Sequence, residues 1–193
     1  MAETVDFISG RHLGGPSTIF PIPIYTNGID NFDAIQDEID KAAEKVNFNM
    51  RPDWGHTHYL SDITFKENFI EKYKLTKFKK ELTWHVNQYH QNKNFSIESS
   101  WMTVFKKYNY GHIHDHGGND ISGVYYFKTN SQDGNFFFES PYPLDDSRVQ
   151  IGPQPGMLVL FPSWLRHGIQ TNLTDNVRMS LSFNIKLAKE SEL

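Results

Sequence analysis

The segment Gly111-His-Ile-His-Asp-His-Gly-Gly118 carries histidines at alternate positions, His112, His114 and His116. Residues two apart on an extended backbone project to the same side, so the three imidazoles would share one face. Neutral imidazole is the commonest side-chain metal ligand, and ligands at this spacing can share one ion. Strand packing makes no use of such a run, and the plain alternative is a His-rich surface turn. A fourth histidine, His167, ends the segment Phe161-Pro-Ser-Trp-Leu-Arg-His167, just past an apolar stretch. Further on stands Arg178, with Ser180 on the same face of its strand. A guanidinium on the polar face of a half-buried strand suits a carboxylate or phosphate held by two parallel hydrogen bonds. Pairing with Asp145, Asp146 or Asp175 at the surface is the alternative.

The elements around these residues fall into a helical first half and a strand-rich second half. Phe32, Ile35, Ile39, Ala42 and Ala43 share one helical face behind a cap at Asn31 or Asp33, in a helix reaching about Val46. A second helix is expected from Leu75 to Gln91, with Phe78, Leu82, His85 and Val86 at helical spacing. Strands are expected over Trp101–Tyr108, Ile121–Phe127, Asn135–Glu139, Met157–Phe161 and Val177–Ile185. The last alternates Val177, Met179, Leu181, Phe183 and Ile185 against Arg178, Ser180, Ser182 and Asn184. Thr18–Tyr25, with its two prolines, reads as an edge strand or an extended arm. Helices followed by antiparallel strands indicate an α+β fold with a mainly β core, a jelly roll with helices on one outer face.

The order and spacing of these pieces resemble the iron(II)/2-oxoglutarate dioxygenases: a short His motif, a distal His about fifty residues on, then Arg-x-Ser. More closely, four segments together resemble a family of 2-oxoglutarate–iron(II) oxygenases of marine bacteria and cyanobacterial viruses. These are His112-Ile-His114, Ser122-Gly-Val-Tyr-Tyr126, Phe161 to His167, and Arg178-Met-Ser-Leu-Ser-Phe-Asn184, and the likeness spans roughly residues 100–187. It implies a double-stranded β-helix (cupin-like), with Fe(II) as cofactor and 2-oxoglutarate and O2 as co-substrates. By the same resemblance His112, His114 and His167 are the catalytic metal ligands. The superfamily usually has a carboxylate where this chain has His114, so Asp115 is the substitute carboxylate, and His116 stands beside the metal or on the substrate side. Arg178 is expected to pair with the distal carboxylate of 2-oxoglutarate and Ser180 to hydrogen-bond it, with Tyr126, Tyr108 or Tyr110 adding a hydroxyl. The expected reaction is hydroxylation of a small molecule or a peptidyl residue such as proline. The alternatives are a three-His cupin-like dioxygenase or isomerase that does not use 2-oxoglutarate, and a non-catalytic metal-binding jelly roll.

Composition narrows the context. The 193 residues suit one domain spanning 1–193, in which residues 1–95 are mostly helical and pack on a barrel of residues 96–187 that carries the metal site. Cysteine is absent, which excludes disulfides and thiolate metal sites. A net charge of −4 gives no footprint for nucleic acid or an anionic membrane. The first residues show neither a basic segment nor an apolar one, and no run approaches a bilayer span, so a cytoplasmic location is expected. The remaining histidines carry weaker signals. His56 and His58 alternate in a loop that could lie over the pocket mouth with Trp54, and Thr18–Tyr25 could pair across a homodimer as an edge strand.

Overall fold

A computed structural model describes residues 21–54, 57–91, 94–142 and 147–188. Among the described residues, eleven strands form two antiparallel sheets. The larger takes the order β1 (Tyr25–Gly28), β9 (Met157–Pro162), β6 (Ile121–Lys128), β11 (Arg178–Leu187), β4 (Phe95–Phe105), β3 (Tyr59–Leu60) and β2 (Asn49–Met50). The smaller takes the order β5 (Gly111–His114), β10 (His167–Ile169), β7 (Phe136–Glu139) and β8 (Arg148–Ile151). The two face each other as a jelly roll.

Alternation on β11 decides which way everything points. Leu181, Phe183 and Ile185 join an outer core with the inward faces of α1 (Phe32–Ala43) and α3 (Thr76–His90). Arg178, Ser180, Ser182 and Asn184 face the barrel interior instead, in register with Phe105, Thr103, Trp101 and Ser99 of β4. Gly123 of β6 lets the outer layer close: a Cβ there would lie 2.4 Å from the Phe183 ring. The second core, between the sheets, is aromatic and includes Tyr126, Phe136, Phe138 and Phe161.

The two long helices are tied to each other by a carboxylate. Glu38 of α1 accepts the backbone N–H groups of Lys77 and Phe78 at 3.1 and 3.0 Å. It thereby caps α3, whose own N-cap residue, Leu75, has no side chain able to do so. The expected helices end one to three residues early. The short elements α2 (Phe69–Lys72), β2, β3, β8 and β10 stand outside the sequence expectations. Residues 18–20 of the expected arm lie outside the described residues. Its remainder leads into β1, an edge strand on β9 that begins only after Pro21 and Pro23, since proline cannot donate to a ladder. No helix among the described residues is long and apolar enough to cross a membrane.

Candidate active site

Three imidazoles converge where β5 meets β10. The ligand-capable atoms of His114, His116 and His167 all lie within 4.8 Å of one another. Strand pairing sets His114 directly opposite His167, with ring centroids 4.5 Å apart. β5 ends at His114, and the chain then curls: the His116 N–H bonds the Ser163 carbonyl at 2.8 Å. This brings the His116 ring to 4.9 Å from His114 and 5.1 Å from His167. The expectation that His112 completes the set is therefore corrected. On the straight part of β5 its ring stays one strand repeat away and packs on Tyr110 at 5.1 Å. Asp115, expected as a substitute carboxylate, is exposed and accepts the Gly117 N–H at 3.1 Å. It lines the rim of the cavity without joining the histidine cluster.

Backbone carbonyls fix how two of these rings present themselves. Nδ1 of His114 contacts the His112 carbonyl at 2.7 Å, and Nδ1 of His167 contacts the Leu165 carbonyl at 2.8 Å. A carbonyl only accepts, so each Nδ1 carries the proton and each Nε2 keeps its lone pair for the cluster. Burial holds the rings neutral. It lowers the His114 pKa and carries that of His167 well below the ordinary value, with the neighbouring imidazoles adding to the effect on His167. Burial and then His114 push His116 down to about 3. Three neutral nitrogen donors at this separation can hold one divalent transition metal.

A cavity of about 260 Å³ runs inward from the cluster between the sheets. Ser180 and Thr103 line it, with their hydroxyl oxygens 2.6 Å apart. Beyond Ser180 lies Arg178, the largest fully buried side chain of the chain's core. Its guanidinium sits 4.6 Å from the Phe105 ring centre and 5.5 Å from that of Tyr126. One nitrogen, Nη1, donates to the Gly134 carbonyl at 2.7 Å. Nε and Nη2 are buried with no hydrogen-bond partner among the described residues, and so is the Tyr126 hydroxyl. Buried donors are satisfied almost everywhere in folded proteins. Two on one guanidinium, next to the Ser180 and Thr103 hydroxyls, fit a carboxylate.

Not every expected residue reaches this place. Tyr108 is 66% exposed at a left-handed turn, with Lys107 over its ring, and does not line the cavity, so its expected part in binding is corrected. Tyr110 is likewise partly exposed. Two cavity residues carried little sequence signal. Thr103 reaches the site only through its register with Ser180. His58 stacks flat on Phe105 with centroids 4.6 Å apart, and burial pushes its pKa down to about 4. His58 is buried in the cavity wall; His56 lies outside the described residues.

A jelly roll with three imidazoles lining its cavity and a buried, half-satisfied arginine on the strand face beside it is the build of a non-haem metal oxygenase that anchors an acidic co-substrate. Comparison with known proteins makes the class specific. Residues 99–184 match the family model described as "Putative 2OG-Fe(II) oxygenase". This segment, which holds the three histidines and Arg178, is similar to that family of 2-oxoglutarate–Fe(II) oxygenases. No curated protein matches it in sequence. Solved structures share the fold at low identity. A 2OG-Fe(II) oxygenase-family oxidoreductase of Burkholderia pseudomallei is 16% identical with a TM-score of 0.62, over 78% of this chain and 77% of that one. HygX of Streptomyces hygroscopicus, solved with nickel and 2-oxoglutarate, is 10% identical with a TM-score of 0.66, over 86% and 84%. A prolyl-4-hydroxylase of Pseudomonas putida is 14% identical with a TM-score of 0.59, over 87% and 94%. These likenesses bear out the double-stranded β-helix with flanking helices.

Proposed function

We propose that the protein hydroxylates a residue-sized group of its substrate, holding Fe(II) on His114, His116 and His167 and 2-oxoglutarate on Arg178. The observation that carries the reading is the pairing of two orphaned guanidinium nitrogens with a three-imidazole cluster: the imidazoles line the cavity, and the guanidinium stands on the same strand face as Ser180, which lines it too. When bound, the iron and keto acid supply the oxidising chemistry, and the protein supplies geometry and exclusion of water. Arg178 and the Ser180 hydroxyl orient the distal carboxylate, and the Tyr126 hydroxyl stands ready on the same inner face. Phe105 and Tyr126 wall the guanidinium from solvent, which strengthens its grip on an anion. The carbonyls of His112 and Leu165 keep two ligand rings in the correct tautomer. A peptidyl substrate such as a prolyl residue is favoured by the small cavity, which leaves little room beside a five-carbon dicarboxylate.

The test is an anaerobic titration of metal-free protein with Fe(II) and then 2-oxoglutarate, followed by visible absorbance. A weak charge-transfer band should appear on adding the keto acid. Iron binding without a band would favour a three-His enzyme that does not use 2-oxoglutarate. No iron binding would reduce the cluster to a structural feature.

A further inference from the structure

The metal end of the cavity opens beside a loop that takes no part in holding metal or co-substrate. Phe65 sits there at φ 56°, a left-handed backbone that is unfavourable for an L residue and an outlier for a bulky one. The loop is held in that shape. One oxygen of the Asp62 carboxylate accepts the Thr64 N–H at 2.8 Å and its hydroxyl at 2.6 Å; the other accepts the N–H groups of Lys66 and Glu67, each at 2.9 Å. The strain is thus maintained by four hydrogen bonds, and strain of this kind gathers at functional sites.

What the loop secures is the position of one ring. Phe65 stands edge-on to Trp101, with centroids 4.9 Å apart at 77°, and the Arg51 guanidinium lies 5.5 Å from its ring centre. All three line the cavity, and Trp101 reaches to 5.6 Å from the His116 ring. The corner therefore abuts the histidine cluster. Arg51 is neutralised by Asp53, onto both of whose oxygens it forks, and Asp115 leaves the cavity lining with a negative charge. Arg51 thus offers a flat face more than a net charge. An anion would gain little here, whereas a compact ring would meet π surfaces on two sides.

We propose that Phe65, Trp101 and Arg51 form the primary-substrate subsite, and that it takes a compact, uncharged, apolar ring. The proposal rests on the oxygenase reading above and adds the class of group presented to the metal. The cavity's 260 Å³ must also admit the co-substrate, so the ring enters and the rest of its parent molecule stays at the rim.

The test uses the full-length protein loaded with Zn(II) and 2-oxoglutarate, with N-acetyl-L-proline methylamide as probe and N-acetyl-L-aspartate methylamide as the anionic control. Saturation-transfer NMR should place the strongest transfer on the pyrrolidine protons and little on the control. Phe65→Gly is the decisive variant, because glycine accepts φ 56° without strain and keeps the loop. It should weaken probe binding by about fivefold or more, as loss of an aromatic anchor does, with 2-oxoglutarate affinity unchanged and Tm at or above that of the parent. Trp101→Leu should weaken the probe in the same way. Equal binding by Phe65→Gly, preference for the aspartyl control, or a silent probe on protein that holds 2-oxoglutarate would each overturn the subsite alone. Parent protein that binds no 2-oxoglutarate would overturn the oxygenase reading and the subsite with it.

Discussion

Arg178→Met separates what the buried arginine does for binding from what it costs the fold. Nε and Nη2 have no hydrogen-bond partner among the described residues, so both are available to a carboxylate. Charge-assisted hydrogen bonds contribute about 1.5–3 kcal/mol each. Losing two of them removes about 3–6 kcal/mol, or roughly 10²–10⁴ in 2-oxoglutarate affinity. The same substitution deletes a cation from a site closed by Phe105 and Tyr126. Replacing a buried charge by an apolar side chain of similar volume is often neutral or stabilising by about 1–4 kcal/mol. Against this, the Gly134 carbonyl loses the Nη1 donor, a cost of about 1–3 kcal/mol. The net change lies near zero, and for a chain of this length 1 kcal/mol moves Tm by about 2–4 °C.

Thermal melts of Zn(II)-loaded protein, with and without 2-oxoglutarate, read both quantities at once. For the parent, ligand at about a hundredfold over Kd should add about 2.7 kcal/mol, or a rise of about 5–10 °C. Arg178→Met should melt within about 5 °C of the parent without ligand and show no rise with it. A variant that keeps the parent's ligand-induced rise would refute the assignment of those two nitrogens. One that loses more than about 10 °C with no ligand present would show that the arginine is there to hold the barrel.

Three further outcomes follow from the same geometry. His116→Ala should weaken Zn(II) binding by about a hundredfold or more, whereas His112→Ala should change it by less than about tenfold, because His114 leans on the His112 backbone carbonyl and not on its ring; competition with a chromophoric chelator measures both. Gly134→Ala should cost about 2–4 kcal/mol and weaken 2-oxoglutarate binding, since φ there is 98° and a Cβ would lie 2.4 Å from the Gln170 carbonyl oxygen; denaturant melts and a ligand titration give the two numbers. His58 titrates at about 4 in the fold against about 6.5 when unfolded, so the unfolded chain takes up the proton first. Metal-free protein should therefore lose about 3 kcal/mol from this group as pH falls from 6.5 to 4, and His58→Phe should flatten that part of the stability curve.

Much of the site was written in local pattern, and what was missed depended on partners distant in sequence. β11 is legible because its alternation is strict, and residue order alone places Arg178 and Ser180 on one face. The same period-two logic misled at the histidines. It treats His112, His114 and His116 as equivalent, but β5 stops at His114 and the choice between the outer two is made by the curl that follows. That curl depends on Ser163, nearly fifty residues away in sequence. β8 and β10 are too short, and β8 too polar, for periodicity to register. Thr103 looks ordinary in sequence and His58 carried only a weak signal beside His56; register with Ser180 selects the first, and stacking on Phe105 the second.

The three-imidazole cluster also sets how metal and co-substrate depend on each other. Asp115 is the only carboxylate among the described residues lining the cavity, and it lies at the rim and outside the cluster. A divalent ion on three neutral rings keeps its full charge, and Arg178 adds another cation deeper in. The dianion of 2-oxoglutarate is then the main source of compensating charge in a low-dielectric pocket. Metal and keto acid should therefore bind with strong positive coupling, and linkage requires the factor to be the same in both directions. Coupling free energies typically lie at about 1–3 kcal/mol, or roughly 5–150-fold, and this site should reach the upper end. Isothermal titration of Zn(II) with and without 2-oxoglutarate, and of 2-oxoglutarate with and without Zn(II), closes the cycle. His116→Asp supplies the missing negative charge within the cluster and should lower the coupling while preserving metal binding. If the coupling stays as large in that variant, the two sites communicate by shape and the charge argument is wrong.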